Sequence, residues 1–153
     1  MDLVNKSKYN IILGSGSSRR KELLGMTGIN FSVMSIPVDE SFPDSLQGTE
    51  ISEYIVKNKS DAFNNLIKEN EIIITADTLV WFENKCLGKP KDKKEAKYML
   101  KLFAGKSHDV ITSVGFLTLS NFKVLTESTT VIYKSLTDSA VSYTHLTLPT
   151  TGV

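Results

Sequence analysis

The sequence predicts a single α/β domain built on a mixed sheet, and three observations carry that expectation. Strand-like apolar runs alternate with helix-patterned segments along most of the chain. Residues 9–13 ("YNIIL") form a short apolar run closed by Gly14, as expected of a strand buried within a parallel or mixed sheet. Residues 107–120 and 122–136 then alternate as two longer strands, and a hairpin around Asn121 places them side by side.

Each element follows from its local pattern. Ser17 or Ser18 can cap the helix after Gly14–Gly16, with Leu23, Leu24 and Met26 on its inner face and Gly25 or Gly28 as its stop. Residues 29–36 ("INFSVMSI") alternate as a second strand with Phe31 and Val33 on one side. "PVDESFPDSLQGT" (37–49) is a loop with two prolines and three carboxylates. Thr49 opens a long helix to about Asn70, carried by Ile51, Tyr54, Ile55, Ala62, Phe63, Leu66 and Ile67 and interrupted at Asn58 and Lys59. "EIIITADTLVWFE" (71–83) is the strongest strand signal, with Glu83-Asn84 as a turn into a return strand at 85–87. Asp92 and Glu95 form an Asp-x-x-Glu cap for a helix to about Phe103.

The bulk numbers exclude several function classes. With 153 residues, 41% of them hydrophobic and 23% charged, the chain reads as one soluble globular domain. Eighteen basic against seventeen acidic residues argue against a general nucleic-acid or membrane-surface binder, so any anion site is local. No apolar run approaches a signal-peptide core or a membrane span. The single cysteine, Cys86, rules out an internal disulfide framework, and the expected compartment is the cytoplasm.

Chemistry concentrates at four places. In "ILGSGSSRRKELL" a Gly/Ser bend leads into Arg19 and Arg20 at a helix start. Backbone N–H groups and the helix dipole favour an anion there, and the guanidinium fork suits phosphate oxygens. The loop is neither a Walker A motif nor a dinucleotide fingerprint. The alternative is a simple turn with two solvated arginines. In "TADT" (75–78), Asp77 stands inside an apolar strand, where a carboxylate needs a partner, a metal or a catalytic role. A solvent-facing carboxylate is the plain alternative. In "LGKP" (87–90), Lys89 is aimed by the glycine and proline on either side. Asp39 and Glu40 in the acidic loop offer metal ligands or only a solvated surface. His108 beside Asp109 reads as a structural histidine, Cys86 as an inert thiol, and Trp81-Phe82 as core packing.

Taken together, "ILGSGSSRRKELL", the Asp39-Glu40 loop, "TADTLV", "LGKP" and "LFAGKSHDVITSVGF" resemble, in order and spacing, the Maf family of nucleoside triphosphate pyrophosphatases over residues 10–137. The resemblance implies an α/β fold of the Maf/ITPase-like, anticodon-binding-like kind. Its mixed central sheet would be flanked by helices, with a cleft between two lobes. It implies hydrolysis of a nucleoside triphosphate to the monophosphate and pyrophosphate with a divalent cation, Mg2+ or Mn2+. Asp77 matches the family's proton acceptor. Arg19, Arg20 and Lys89 match phosphate binders, Ser15 matches the loop serine, and Glu40 matches a carboxylate near the metal, which Asp77 would share. Lys59 in "KNKSDAF" resembles a helix lysine that reaches the phosphates. Arg19 and Thr78 resemble the subgroup acting on dTTP and UTP.

Two departures accompany the match. Ser18 stands where the family has proline, which removes a rigid helix start and no functional group. After Asp138 the family continues into a helix and a glutamine-bearing motif, whereas residues 139–153 ("SAVSYTHLTLPTTGV") match nothing in it. The expectation is therefore a truncated pyrophosphatase domain at 1–138, its fold incomplete at the C-terminus, followed by an unrelated tail. A nucleotidyltransferase and a non-catalytic nucleotide-binding or division-regulating module are the alternative functions. The expected partner is the nucleotide substrate, with no nucleic acid and no membrane; a homodimer is one assembly left open.

Overall fold

The computed structural model describes residues 8–134. The strands are β1 (Asn10–Leu13), β2 (Phe31–Val33), β3 (Glu71–Phe82), β4 (Lys85–Leu87), β5 (Ser107–Leu117) and β6 (Phe122–Ile132). The helices are α1 (Ser18–Gly25), α2 (Thr49–Asp61) and α3 (Lys93–Phe103). The sheet runs in the order β2-β1-β3-β5-β6, with β4 pairing β3. β1 is parallel to both β2 and β3, whereas β3–β5, β5–β6 and β3–β4 are antiparallel, so the sheet is mixed. Among the described residues no helix is long and apolar enough to cross a membrane.

The twelve-residue β3 is the axis of the molecule. Its β-branched and apolar residues pair with β1 through Glu71–Ile74 and with β5 through Ile73–Trp81. Glu83 and Asn84 both take positive φ (48° and 62°), the backbone of a two-residue hairpin turn that joins β3 to β4. Asp92 caps α3 by accepting from the Glu95 backbone N–H at 2.7 Å.

Helix α2 lies against β3 and β5 through small residues. Ser52, Val56 and Ser60 recur at every fourth position and are fully buried. Ser60 Oγ meets Thr75 Oγ1 at 2.7 Å, and Ser52 Oγ meets Ser113 Oγ at 2.7 Å. These two hydroxyl pairs satisfy buried polar groups while fixing the helix along its length. Gly115 makes the approach possible. A Cβ there would sit 2.6 Å from Val56 Cγ1 and 2.9 Å from both Phe122 Cε2 and Thr75 Oγ1. Above and below this seam lie two apolar clusters, one of Ile51, Ile55, Leu79 and Ile111, the other of Phe63, Ile73 and Leu117. Trp81 packs on the first, and Phe82 meets Phe103 edge to face, as core packing predicts.

Three element expectations need correction. α1 buries none of its residues: Leu23 is half-exposed and Met26 is 74% exposed, so the helix is anchored by something other than an apolar face. β2 is only three residues long and leaves Val33 and Met34 exposed; among the described residues it is the edge strand, paired only with β1. α2 ends at Asp61 rather than near Asn70. The turn after it carries Phe63 into the core at 1% exposure and leaves Leu66 half-exposed.

Candidate active site

The site is built where α1, α2 and the middle of β3 meet. Ser17 caps α1 by accepting from the Arg20 backbone N–H at 3.3 Å, and Ser15 Oγ accepts from the Ser17 N–H at 3.1 Å. Gly14 donates to the Ile74 carbonyl at 2.8 Å, and a Cβ on it would meet the Phe63 ring at 2.9 Å, so the bend can lie flat against the core only as glycine. This geometry directs Arg20 back onto β3. Its Nη1 donates to the Ala76 carbonyl at 3.0 Å and its Nη2 to Thr78 Oγ1 at 3.4 Å.

Lys59 arrives from the last turn of α2, where the helix dipole favours a cation. Its Nζ also donates to the Ala76 carbonyl at 3.0 Å, pairs with Glu40 Oε1 at 2.9 Å, and stands 3.7 Å from Asp77 Oδ1. Two cationic side chains from different helices thus share one carbonyl beside a buried acid. The interruption that Lys59 makes in the apolar stripe of α2 has its explanation here.

Asp77 is 7% exposed, and its Oδ2 is buried without a hydrogen-bond partner. Burial pushes its carboxyl above the ordinary carboxylate range, Glu40 adds to the rise, and Lys59 and Arg20 pull against it. The Arg20 guanidinium is lowered from its usual value by burial, with Asp77 and Glu40 opposing. Thr78 Oγ1 lies 3.1 Å from Thr112 Oγ1 on β5.

A cleft of about 680 Å³ opens from this cluster. Arg20, Glu40, Lys59, Asp77 and Thr78 line it, and Lys89 with its Gly88-Pro90 frame lines the same cavity. α3 supplies an apolar wall through Met99, Leu100 and Phe103. His108 is buried in that wall, stacked 4.3 Å from Phe103 and 5.4 Å from Tyr133. Burial lowers its pKa, Asp109 opposing, and Asp109 itself accepts from Thr130 Oγ1 at 2.7 Å. Cys86 also lines the cleft; burial and the Asp77 charge push its thiol up, which leaves it protonated and unreactive at neutral pH.

Arg20, Glu40, Lys59, Asp77, Thr78 and Lys89 therefore face one cavity, while two expected site residues do not. Arg19 points along α1 to Glu22, 3.4 Å away, with both side chains largely in water. Ser15 serves the loop backbone and does not line the cleft. The Ala76 carbonyl escaped sequence reading because a backbone acceptor has no side-chain signature. The α3 wall was legible only as a capped helix. The serines at 52 and 60 were a usable signal, since hydroxyls eight residues apart share a helical face.

Among the described residues no three His, Cys, Asp or Glu side chains gather as a ready metal cage. Glu40 and Asp77 nevertheless converge on one ammonium, and Asp77 Oδ2 is an oxygen held in reserve. That donor set fits a hard divalent cation completing its shell with phosphate oxygens and water, since Mg2+ is commonly held by one or two carboxylates plus substrate.

Comparison with known proteins agrees with this picture. The Maf-like protein family matches residues 10–147, past the boundary expected at 138. The dTTP/UTP pyrophosphatase of Bacteroides thetaiotaomicron is 43% identical over 142 residues, which is 92% of this chain and 74% of that protein. The dTTP/UTP pyrophosphatase of Flavobacterium johnsoniae is 41% identical over 136 residues, covering 89% of this chain and 70% of that one. Among solved structures, the Staphylococcus aureus Ham1 protein aligns with a TM-score of 0.57 at 11% identity over 79% of this chain and 70% of its own. A Mycobacterium abscessus nucleoside-triphosphatase, a dITP/XTP pyrophosphatase, gives 0.52 at 10% identity over 79% and 72%. At such identities the structures establish the fold alone. With the family match running along most of the sequence and relatives above 40% identity over nine-tenths of it, this chain belongs to the Maf-like protein family.

Proposed function

We propose that this chain hydrolyses dTTP and UTP to the monophosphate and pyrophosphate. One observation carries the proposal: Arg20 and Lys59 share the Ala76 carbonyl at 3.0 Å each, beside an acid whose second oxygen is buried and unpartnered. Such a cluster suits a ligand rich in negative charge. Phosphoryl transfer depends largely on positioning and on neutralising charge over the phosphate oxygens. In this reading Arg20 and Lys59 turn from the Ala76 carbonyl toward the phosphates, and Lys89, which lines the same cleft, joins them. The Asp77 carboxylate accepts a proton from the attacking water. The water oxygen bonds to the α-phosphorus, and the bond from that phosphorus to the bridging oxygen breaks, so the electron pair leaves with pyrophosphate. The raised carboxyl makes Asp77 a stronger base once ionised.

Glu40 and Asp77 would hold the divalent cation, which when bound supplies charge neutralisation on the phosphates. The apolar wall of α3 takes the nucleoside and shields the reacting end from bulk water. The dTTP/UTP pyrophosphatase relatives support thymine and uracil as the bases accepted. A reducing, cytoplasmic setting suits the lone Cys86.

The test is pyrophosphate release from a panel of nucleoside triphosphates with Mg2+ or Mn2+ and no added acceptor. Turnover highest for dTTP and UTP is the expected result. Release that requires an acceptor alcohol or sugar phosphate would instead identify a nucleotidyltransferase.

A further inference from the structure

We infer that Thr112 is a positioning residue of the phosphate site: its hydroxyl holds Thr78, and through Thr78 it orients the Arg20 guanidinium toward a bound triphosphate. The inference rests on the phosphate-binding reading of Arg20 given above.

Thr112 and Thr78 are cross-strand partners in the antiparallel β3–β5 register, so their side chains emerge on the same face. Their hydroxyl oxygens lie 3.1 Å apart. Thr78 Oγ1 also lies 3.4 Å from Arg20 Nη2. A guanidinium only donates, so Thr78 must accept from Arg20. A hydroxyl has one proton and two lone pairs, so Thr78 can accept from Arg20 while it either donates to Thr112 Oγ1 or accepts from it. In either arrangement the Thr112 contact fixes the Thr78 hydroxyl and leaves a lone pair for the cation.

The arrangement matters because Arg20 has little else to hold it. Its helix buries no residue, so α1 contributes no apolar anchor. The guanidinium plane is fixed by two contacts, Nη1 on the Ala76 carbonyl at 3.0 Å and Nη2 on Thr78. The Nη2 contact is long, and it depends on Thr78 presenting an acceptor in the right direction. When phosphate draws Nη1 away from the carbonyl, Thr78 becomes the remaining tether. Thr112 does not itself line the cleft, so it acts on the site through Thr78, which does.

The experiment measures binding of inorganic tripolyphosphate by calorimetry, together with dTTP kinetics. The chains are wild type, Thr112→Val, Thr112→Ser, Arg20→Met and the double variant Arg20→Met/Thr112→Val. Valine keeps the β-branched shape and removes the hydroxyl, and Thr112→Ala is the second hydroxyl-free variant should valine fail to fold. The expected loss of tripolyphosphate affinity in Thr112→Val is about 3- to 10-fold, matching one hydrogen bond between neutral groups. KM for dTTP rises by a similar factor while kcat stays within about 2-fold. Thr112→Ser recovers most of the affinity, and in the Arg20→Met background the valine substitution adds nothing.

The inference is overturned by wild-type affinity in the hydroxyl-free variants, by a valine effect undiminished without Arg20, or by a serine variant as impaired as valine. A wild-type chain that binds no tripolyphosphate also overturns it. A chain that binds tripolyphosphate in the predicted pattern yet releases no pyrophosphate from dTTP or UTP refutes the hydrolase reading and supports this one.

Discussion

Replacing Lys59 with methionine keeps the length and apolar stem of the side chain and removes its charge. Three acceptors then lose a partner: the Ala76 carbonyl, Glu40 and Asp77. The carbonyl retains Arg20, and Glu40, whose side chain is 59% exposed, turns to water. Asp77 bears the cost, because its side chain is only 10% exposed and Oδ2 already lacks a partner. A charge pair at 3.7 Å interacts by about 4 kcal/mol at an effective dielectric near 20, and deleting one member of a buried pair typically costs about 3–5 kcal/mol. Allowing for the remaining Arg20 charge, we expect Lys59→Met to lose about 2–4 kcal/mol at pH 7.5, or roughly 5–15 °C in Tm for a chain of this size.

The pH dependence has a definite sign. Lys59 is the strongest influence holding the Asp77 carboxyl down against burial. Without it the folded-state pKa climbs further above the unfolded value. Between those two values the native state carries a proton that the unfolded chain has released, so stability falls as pH rises through the window. The deficit of the variant is therefore full above the raised pKa and shrinks toward the ordinary value of 3.8. Thermal melts of both chains from pH 4 to 8, followed by circular dichroism, measure it. A deficit of equal size at pH 4.5 and pH 7.5 would refute the reasoning, since it would assign the loss to packing of the lysine stem.

Further expectations follow from the same geometry. Glu40→Gln removes a negative charge that raises the Asp77 carboxyl, so the acid limb of the dTTP rate profile should move to lower pH; an upward move contradicts the assignment. Gly115→Ala places a Cβ 2.6 Å from Val56 Cγ1 and should cost about 1–3 kcal/mol by overpacking, read as a lower midpoint in urea. Because the same displacement shifts Ser60 and hence Lys59, activity measured well below Tm should fall as well; full activity would mean that the α2–sheet seam does not place the cation.

The sheet was legible because β3, β5 and β6 carry long alternating or apolar runs between clear turns, and the Glu83-Asn84 turn and the Asp92 cap were equally plain. The misread elements share a cause. Leu23 on α1 and Met26 at its C-cap have the right period for a buried face, but no layer of the fold lies over them among the described residues. Along α2 the apolar stripe caught the buried Ile51 and Ile55 but missed the adjoining line of Ser52, Val56 and Ser60, where Gly115 lets the helix approach closely. Hydrophobic periodicity cannot see a seam made of hydroxyls. Among the site residues, Asp77 announced itself as an acid in an apolar strand and Lys59 as a break in a stripe. The pairing of Arg20 with a backbone carbonyl required the third dimension, and the turn of Arg19 toward Glu22 instead of the cleft required it too.

The site as a whole is decided by Asp77→Asn, assayed for both dTTP binding by calorimetry and pyrophosphate release with Mg2+. If positive side chains grip the phosphates while this buried acid takes the water's proton, the amide variant holds nucleotide within about 10-fold of wild type and its turnover drops by about 100-fold or more. Turnover preserved in the amide variant would contradict that division of labour, whatever the affinity proved to be.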